Sequence, residues 1–407
     1  MRAWWRSALS LLAFILLLLP FTGCQVVKPA ATAPAYTPSI QSTSASAPTI
    51  TGSASQTSVL DKLPGATSTP VSIASPTPST ATPISPTPYS PGSITAENAT
   101  SLQPILQRKF SPWDQVLKIV WSPEGNSLAV SAGEKIHILD SNDLDDRLEI
   151  EMDSWAPGLA YAPGGHSLAA TDRDGVLRIW DVATGELIQT IQAHQKSASG
   201  VAYSPDGSLL ATAGYDAMAR LWALPSGEKR GEMIGGSFAV PAIAFTPDGA
   251  RLAIVNGNII RLRDVGSQRF VKTIAAENPL FTISFSPDGR TLASGDVANT
   301  IQLWDMTNEV NPAVEIRQSV YTLIAQEGPV SGPKALVWQV AFSPDGTLLA
   351  AASGDGMIRI WDVESGLLAA TLAGHSKAAT SLAFSPDGRW LASGGLDGKV
   401  VLWGVKP

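Results

Sequence analysis

The chain has 407 residues, 44% hydrophobic and only 15% charged, and its net charge of −7 becomes −9 without Arg2 and Arg6. No Lys/Arg run follows those two residues, so a phosphate backbone would find no concentrated basic surface, and nucleic acid is excluded as an expected partner. The single cysteine, Cys24, excludes an intramolecular disulfide.

In chain order, Arg2 and Arg6 precede twelve nearly apolar residues, 8–19. That length suits a signal-peptide core and falls short of the about 20 residues a spanning helix needs. Phe21-Thr22-Gly23-Cys24 then resembles the lipobox of bacterial lipoproteins, in which a small residue precedes a cysteine that is acylated and becomes the new N-terminus. Phe21 stands where that motif prefers Leu. The expectation is a lipoprotein-type signal peptide over residues 1–23 and lipidation of Cys24, with ordinary secretion or an uncleaved anchor as alternatives. Acyl chains would hold the protein on a bacterial membrane by burying methylenes at ~0.8 kcal/mol each.

Residues 24–93 are dominated by Ala, Ser, Thr and Pro, with Lys28, Asp61 and Lys62 the only charges after Cys24. Such a segment buries too little apolar surface to offset its conformational entropy. Twelve prolines between Pro29 and Pro91 bias it towards extended conformations. It is expected to be a disordered tether spanning roughly 50 Å.

From there one phrase recurs seven times: Ser122-Pro123-Glu124-Gly125, Ala162-Pro163-Gly164-Gly165, Ser204-Pro205-Asp206-Gly207, Thr246-Pro247-Asp248-Gly249, Ser286-Pro287-Asp288-Gly289, Ser343-Pro344-Asp345-Gly346 and Ser385-Pro386-Asp387-Gly388. Its spacings are 40, 42, 42, 40, 57 and 42 residues, the mark of a repeat architecture. The phrase is a turn signal, because Pro presets φ and Gly supplies φ > 0. Each copy follows a short strand ending in an aromatic residue: Trp121, Tyr161, Tyr203, Phe245, Phe285, Phe342 or Phe384. An aliphatic residue stands two places earlier and a small one usually lies between them, as in Val201-Ala202-Tyr203. Alternation with period two gives each strand one large and one small face. Both faces must be buried, the large face of one sheet against the small face of the next, which radially arranged sheets achieve.

Ile179-Trp180-Asp181, Leu303-Trp304-Asp305 and Ile360-Trp361-Asp362 close the third strands of three repeats. With these endings, residues 110–407 resemble the WD40-repeat family. The resemblance implies an all-β fold, a seven-bladed WD40-type β-propeller with four-stranded blades occupying residues 94–407. It also implies a hydrogen-bonded set of His, Ser/Thr, turn Asp and Trp in each complete blade. Two blades carry the whole set: His194, Thr212, Asp216 and Trp222, and His375, Ser393, Asp397 and Trp403. Blades 2 and 6 keep Asp174 with Trp180 and Asp355 with Trp361 but lack the His, while blades 1 and 4 have Leu139 and Arg263 in place of Trp. The sequence ends after the third strand of blade 7, so residues 94–110 are predicted to supply that blade's outer strand, as N-terminal strands commonly do in this family.

Little points to catalysis. The four histidines, His137, His166, His194 and His375, show no ligand spacing such as H-x-x-x-H, so no metal or other cofactor is expected. The recurring turn Asp residues fall one per blade and should lie far apart. No G-x-S-x-G, P-loop or dinucleotide fingerprint is present, and the chain reads as a non-enzyme.

For binding, the informative positions are those where the repeats diverge. Five residues before each turn stand Leu117, Pro157, Ser199, Pro241, Phe281, Trp338 and Thr380. Phe281 and Trp338 would sit near the central opening in blades 5 and 6, or would plug it. Before the tight-turn Asp stand Arg173, Tyr215, Gly354 and Leu396. In WD40 proteins such aromatic and Arg positions are frequent partner contacts, and these residues are enriched at binding hot spots. Phe281, Trp338, Arg173 and Tyr215 are therefore the partner-binding candidates. The 57-residue interval adds about 15 residues between Asp305 and Trp338, in loops around 308–316 and 326–335, as a recognition element or a tolerated insertion.

The sequence thus predicts a monomeric, membrane-tethered, extracytoplasmic WD40 propeller that binds a protein or peptide partner as an interaction scaffold. Two alternatives are a propeller of the Tol-system type that assists envelope assembly, and a small-ligand-binding or enzymatic propeller using the central channel.

Overall fold

The computed structural model describes residues 92–405 except 112, 235, 308–320 and 325–335. The expected signal peptide, Cys24, nearly all of the tether and both loops of the long interval lie outside these residues. The described part is all-β: seven antiparallel four-stranded sheets make the seven blades of a propeller.

Blades 1 to 6 each run from an inner strand outwards in chain order. The inner strands are Val116–Trp121, Gly158–Tyr161, Ala198–Tyr203, Ile243–Phe245, Leu280–Phe285, Val337–Phe342 and Ala379–Phe384. Blade 3 is typical: Ala198–Tyr203 pairs with Leu209–Gly214, then Met218–Ala223, then Glu228–Ile234.

The repeated turn shows why its residue types recur. In blade 3 Gly207 N–H donates to Ser204 O at 2.9 Å and adopts φ +72°. The Ser204 hydroxyl donates to Asp206 Oδ1 at 2.5 Å and accepts from Leu209 N–H at 2.9 Å, so one side chain spans the turn. A Cβ added at Gly207 would lie 3.6 Å from Pro163 Cδ of the preceding turn. The same proximity joins Gly125 to Pro386, bringing blade 1 against blade 7.

Between blades, large residues of one sheet fill the small face of its neighbour. Ile136 and Ile138 of blade 1 share a cluster with Leu159, Tyr161, Leu168 and Trp180 of blade 2, over the small residues Ala129 and Ala170. In five blades the third-strand Trp stands opposite a second-strand Leu: Trp180 with Leu168, Trp222 with Leu210, Trp304 with Leu292, Trp361 with Leu349 and Trp403 with Leu391. Burying such side chains stabilises by about 1.5–3 kcal/mol each.

The outer strand of the seventh blade comes from the other end of the propeller sequence. Leu102–Lys109 pairs antiparallel with Lys399–Val405, with Leu102 opposite Val405 and Lys109 opposite Lys399. Ile94, Ala99 and Leu102 are buried in the core between blades 6 and 7. Blade 1 is further tied to blade 7 by Trp121 Nε1–H to Ala383 O at 3.0 Å and Ile119 N–H to Ser381 Oγ at 2.9 Å. Pairing the first described strand with the last removes two open sheet edges.

Candidate binding site

Seven inner strands surround a central channel. At its upper end lie the loops that enter each inner strand and the tight turns between second and third strands, which hydrogen-bond to each other, as in Tyr215 N–H to Ser197 O at 2.8 Å. A cavity of about 160 Å3 opens there. Its lining includes all seven residues that stand five places before the repeated turns, together with Arg173 and Tyr215. The structure therefore brings Phe281, Trp338, Arg173 and Tyr215, from four different blades, to the mouth of one cavity.

Their surroundings differ. Phe281 and Trp338 meet edge to face, ring centroids 5.4 Å apart and planes at 81°, and Trp338 is only 7% exposed. The Arg173 guanidinium lies over the Trp155 ring, 4.6 Å from its centroid, a cation–π contact that sequence reasoning had no signal for. Burial pushes the Arg173 guanidinium below its ordinary value and the Tyr215 phenol above its own. Ser199 and Thr380, from the same column of the repeat, spend their hydroxyls on carbonyls of adjoining blades, Val240 O and Val116 O. The upper end also carries two exposed aromatics, Trp113 at 62% and Phe238 at 59%.

One residue further along each inner strand is a second column that sequence analysis passed over: Lys118, Gly158, Gly200, Ala242, Thr282, Gln339 and Ser381. Blades 2 to 4 have no side chain beyond Cβ there. A Cβ at Gly158 would lie 2.3 Å from Thr171 Oγ1 and 3.0 Å from the Gly200 backbone, so glycine is required by packing. The other four blades are polar and hydrogen-bonded. Lys118 Nζ donates to Gln339 Oε1 at 3.0 Å, Ser381 Oγ donates to the same oxygen at 2.8 Å, and Gln339 Nε2 donates to Leu382 O at 2.8 Å. Lys118 and Gln339 also line a second cavity of about 440 Å3 that reaches the repeated turns at the lower end. Their contact joins blades 1 and 6 past blade 7, and both residues line the upper chamber and the lower chamber alike.

The complete His sets serve the blades. In blade 3 His194 Nδ1 lies 2.9 Å from Asp216 Oδ1, Nε2 lies 2.9 Å from Thr212 Oγ1, and Trp222 Nε1–H donates to that hydroxyl at 3.0 Å. Arg220 adds a contact at 2.7 Å to both His194 Nδ1 and Asp216 Oδ2. In blade 7 His375 is 3.1 Å from Asp397 and 2.9 Å from Ser393, which accepts from Trp403 Nε1–H at 2.8 Å.

Blade 2 differs from expectation. Asp174 is exposed, and Asp172, two residues earlier and buried, accepts the N–H groups of Asp174 and Val176 and pairs with Arg178. Blade 5 does the same with buried Asp296, which accepts from the N–H groups of Ala298 and Thr300 and from Asn278 Nδ2. It also keeps the second half of the set, Trp304 Nε1–H to Ser294 Oγ at 2.8 Å. An Asp eight residues before the Trp is the signal that would have found both.

His137, Asp146 and Glu149 place three potential ligand atoms within 4.8 Å of one another. Asp146 is already paired with Arg108 and Glu149 with Lys135, so the cluster is a charge-balanced network joining strands of blades 1 and 7.

Comparison with known proteins agrees with this architecture. The WD40 family (WD domain, G-beta repeat) matches at residues 155–181, 185–223, 268–305, 319–362 and 366–404. Similar proteins include Protein Notchless of Drosophila melanogaster, 31% identical over 25% of this chain and 28% of that protein. Transcription factor unc-37 of Caenorhabditis elegans is 35% identical over 26% of this chain and 15% of its own length. Nuclear distribution protein PAC1 of Gibberella zeae is 38% identical over 22% and 18%. The chain spans less than a third of the length of each of these relatives. Seven four-stranded blades, His–Ser/Thr–Trp sets in two of them and five matched repeats make this chain a member of the WD40-repeat family.

Proposed function

We propose that this chain is a membrane-tethered, extracytoplasmic WD40 propeller that serves as a protein-interaction scaffold and takes its partner at the upper mouth of the channel. The observation that carries the reading is convergence. Arg173, Tyr215, Phe281 and Trp338 come from four blades yet line one opening. Aromatic residues and Arg are enriched where binding energy concentrates, and WD40 propellers typically act as protein-interaction scaffolds. The tether and anchor rest on the sequence of residues 1–93, with Cys24 as the acylated residue and a bacterial membrane as its support.

Two experiments test the two halves. Cross-linking capture with the full chain should recover a specific partner that a Phe281→Ala, Trp338→Ala, Arg173→Ala, Tyr215→Ala variant, shown to be folded, loses; unchanged capture would refute the mouth. Metabolic labelling with palmitate in a bacterial host should mark the wild type and not Cys24→Ser; an unlabelled wild type that stays in the soluble fraction would refute the anchor.

A further inference from the structure

The channel is cationic in an acidic protein. The charged residues lining the upper chamber are Lys118 and Arg173, the lower chamber has Lys118 alone, and no Asp or Glu is among the described residues lining either. Elsewhere in the described structure the semi-buried cations Arg178, Arg220 and Arg359 have carboxylate partners, in Asp172, Asp216 and Asp355. Lys118 instead rests its ammonium on the neutral amide of Gln339, and Gln339 is itself fixed by Ser381 and by Leu382 O. The amine is thus held in place on the chamber floor with two N–H bonds and its full charge unspent.

The walls above it are apolar. Phe281, Trp338, Pro157 and Pro241 surround the opening, and Gly158, Gly200 and Ala242 line it without a long side chain. Trp338 Nε1–H is buried and finds no acceptor among the described residues, which leaves a second donor at the wall. The volume of about 160 Å3 is close to the about 150 Å3 of a cavity that holds a benzene ring.

We propose that the upper chamber binds a carboxylate borne on a small apolar group, with Lys118 as its counter-ion and the Phe281–Trp338 pair as the wall for the apolar part. The inference rests on the reading that this end of the channel is the recognition face. A free carboxylic acid and the C-terminus of a peptide offer the same chemistry. A half-buried cation without an internal counter-charge favours an anion from outside, because pairing offsets the loss of solvation on both.

Burial pushes the Lys118 amine down to about 8. The other titratable groups lining the chambers are Arg173, whose guanidinium burial pushes down, and Tyr215, whose phenol burial pushes up. Carboxylate binding should therefore be steady near neutrality and weaken about tenfold between pH 7 and pH 9 as the amine deprotonates.

The test is calorimetric titration of the full chain with benzoate and with its neutral isostere benzamide, and with N-acetyl-alanyl-phenylalanine and its C-terminal amide. At pH 7 at least one acid should bind ten or more times tighter than its amide, with the preference fading above pH 8 and absent in Lys118→Met. A preference confined to benzoate identifies a free acid as the source; one for the peptide acid identifies a chain terminus. The proposal is overturned if neither acid binds, if acids and amides bind alike, or if a folded Lys118→Met keeps the preference. Should that variant not fold, the pH profile of the wild type decides alone, and a flat profile overturns the proposal. Failure here leaves partner capture by the four mouth residues to be read separately, since that experiment makes no use of Lys118.

Discussion

His375 Nε2 and Ser393 Oγ lie 2.9 Å apart, and the same hydroxyl oxygen accepts the indole N–H of Trp403 at 2.8 Å. The donors and acceptors close when His375 Nδ1–H donates to Asp397, Ser393 O–H donates to Nε2, and Trp403 donates to Ser393 Oγ. One hydroxyl thus joins the loop entering blade 7 to its second and third strands. Ser393→Ala should leave both the imidazole and the indole N–H unpaired in the core and cost about 2–6 kcal/mol, from about 1–3 kcal/mol per orphaned group. Urea unfolding of the two proteins checks this; a loss below about 0.5 kcal/mol would remove the set from the account of blade stability.

The acid side of the stability curve follows from the same sets. Burial alone would raise the Asp397 carboxyl, but hydrogen bonds from His375 and from the Ser376 N–H outweigh it and hold the group at about 2. Its folded value lies below the ordinary ~3.9 of an unfolded Asp, so its contribution is present above pH ~4 and lost as pH falls towards 2. His194 is also lowered, chiefly by burial, so the unfolded chain takes up its proton first and stability declines as pH drops below ~6.5. Denaturation midpoints should fall from pH 7 to 2, and Asp397→Asn should make the fall below pH 4 shallower, the other depressed carboxyls such as Asp206 and Asp216 supplying the rest.

Asp172 and Asp296 carry a third prediction. Each is buried and satisfies two backbone N–H groups of a tight turn, and Asp172 also neutralises Arg178. Asp172→Ala should cost about 2–6 kcal/mol, from two turn N–H groups orphaned at about 1–3 kcal/mol each, since Arg178 keeps Asp153 as a partner. Asp174→Ala, two residues away and exposed, should cost under about 0.5 kcal/mol. Equal losses in the two variants would show that the sequence position, and not the buried carboxylate, sets the turn.

These two residues also mark where the sequence stops being readable. The seven repeated turns, the aromatic strand ends and the divergent column at the channel mouth are local patterns. Strand alternation and a 42-residue period are enough to place Phe281, Trp338, Arg173 and Tyr215 at one end of a ring. Asp172 and Asp296 escaped because they reach the same turn from a position two residues off the expected one. The Lys118–Gln339 contact joins residues 221 positions apart, in blades 1 and 6, across the seventh blade. It exists only after the ring has closed, so no local pattern announces it. Trp155 beneath Arg173 is likewise a loop residue outside the repeat's regular columns.

Closure makes its own prediction. Leu102–Lys109 supplies the fourth strand of the last sheet, and Ile94, Ala99, Leu102 and Phe110 are buried with it. Leu102→Ala should cost about 2–4 kcal/mol, as for large-to-small changes in cores, and Arg108→Ala far less. A stronger effect from Arg108 would shift the weight of closure from packing to the Arg108–Asp146 pair.

Whether partners are taken at the upper channel mouth can be read by photocrosslinking from single positions. Benzoylphenylalanine would replace Phe281 at the mouth in one protein and Ile188, 59% exposed on the outer strand of blade 2, in another. A partner adduct should form from position 281 and none from position 188. An adduct from position 188 with none from 281 would contradict it and move recognition to the outer rim of the blades.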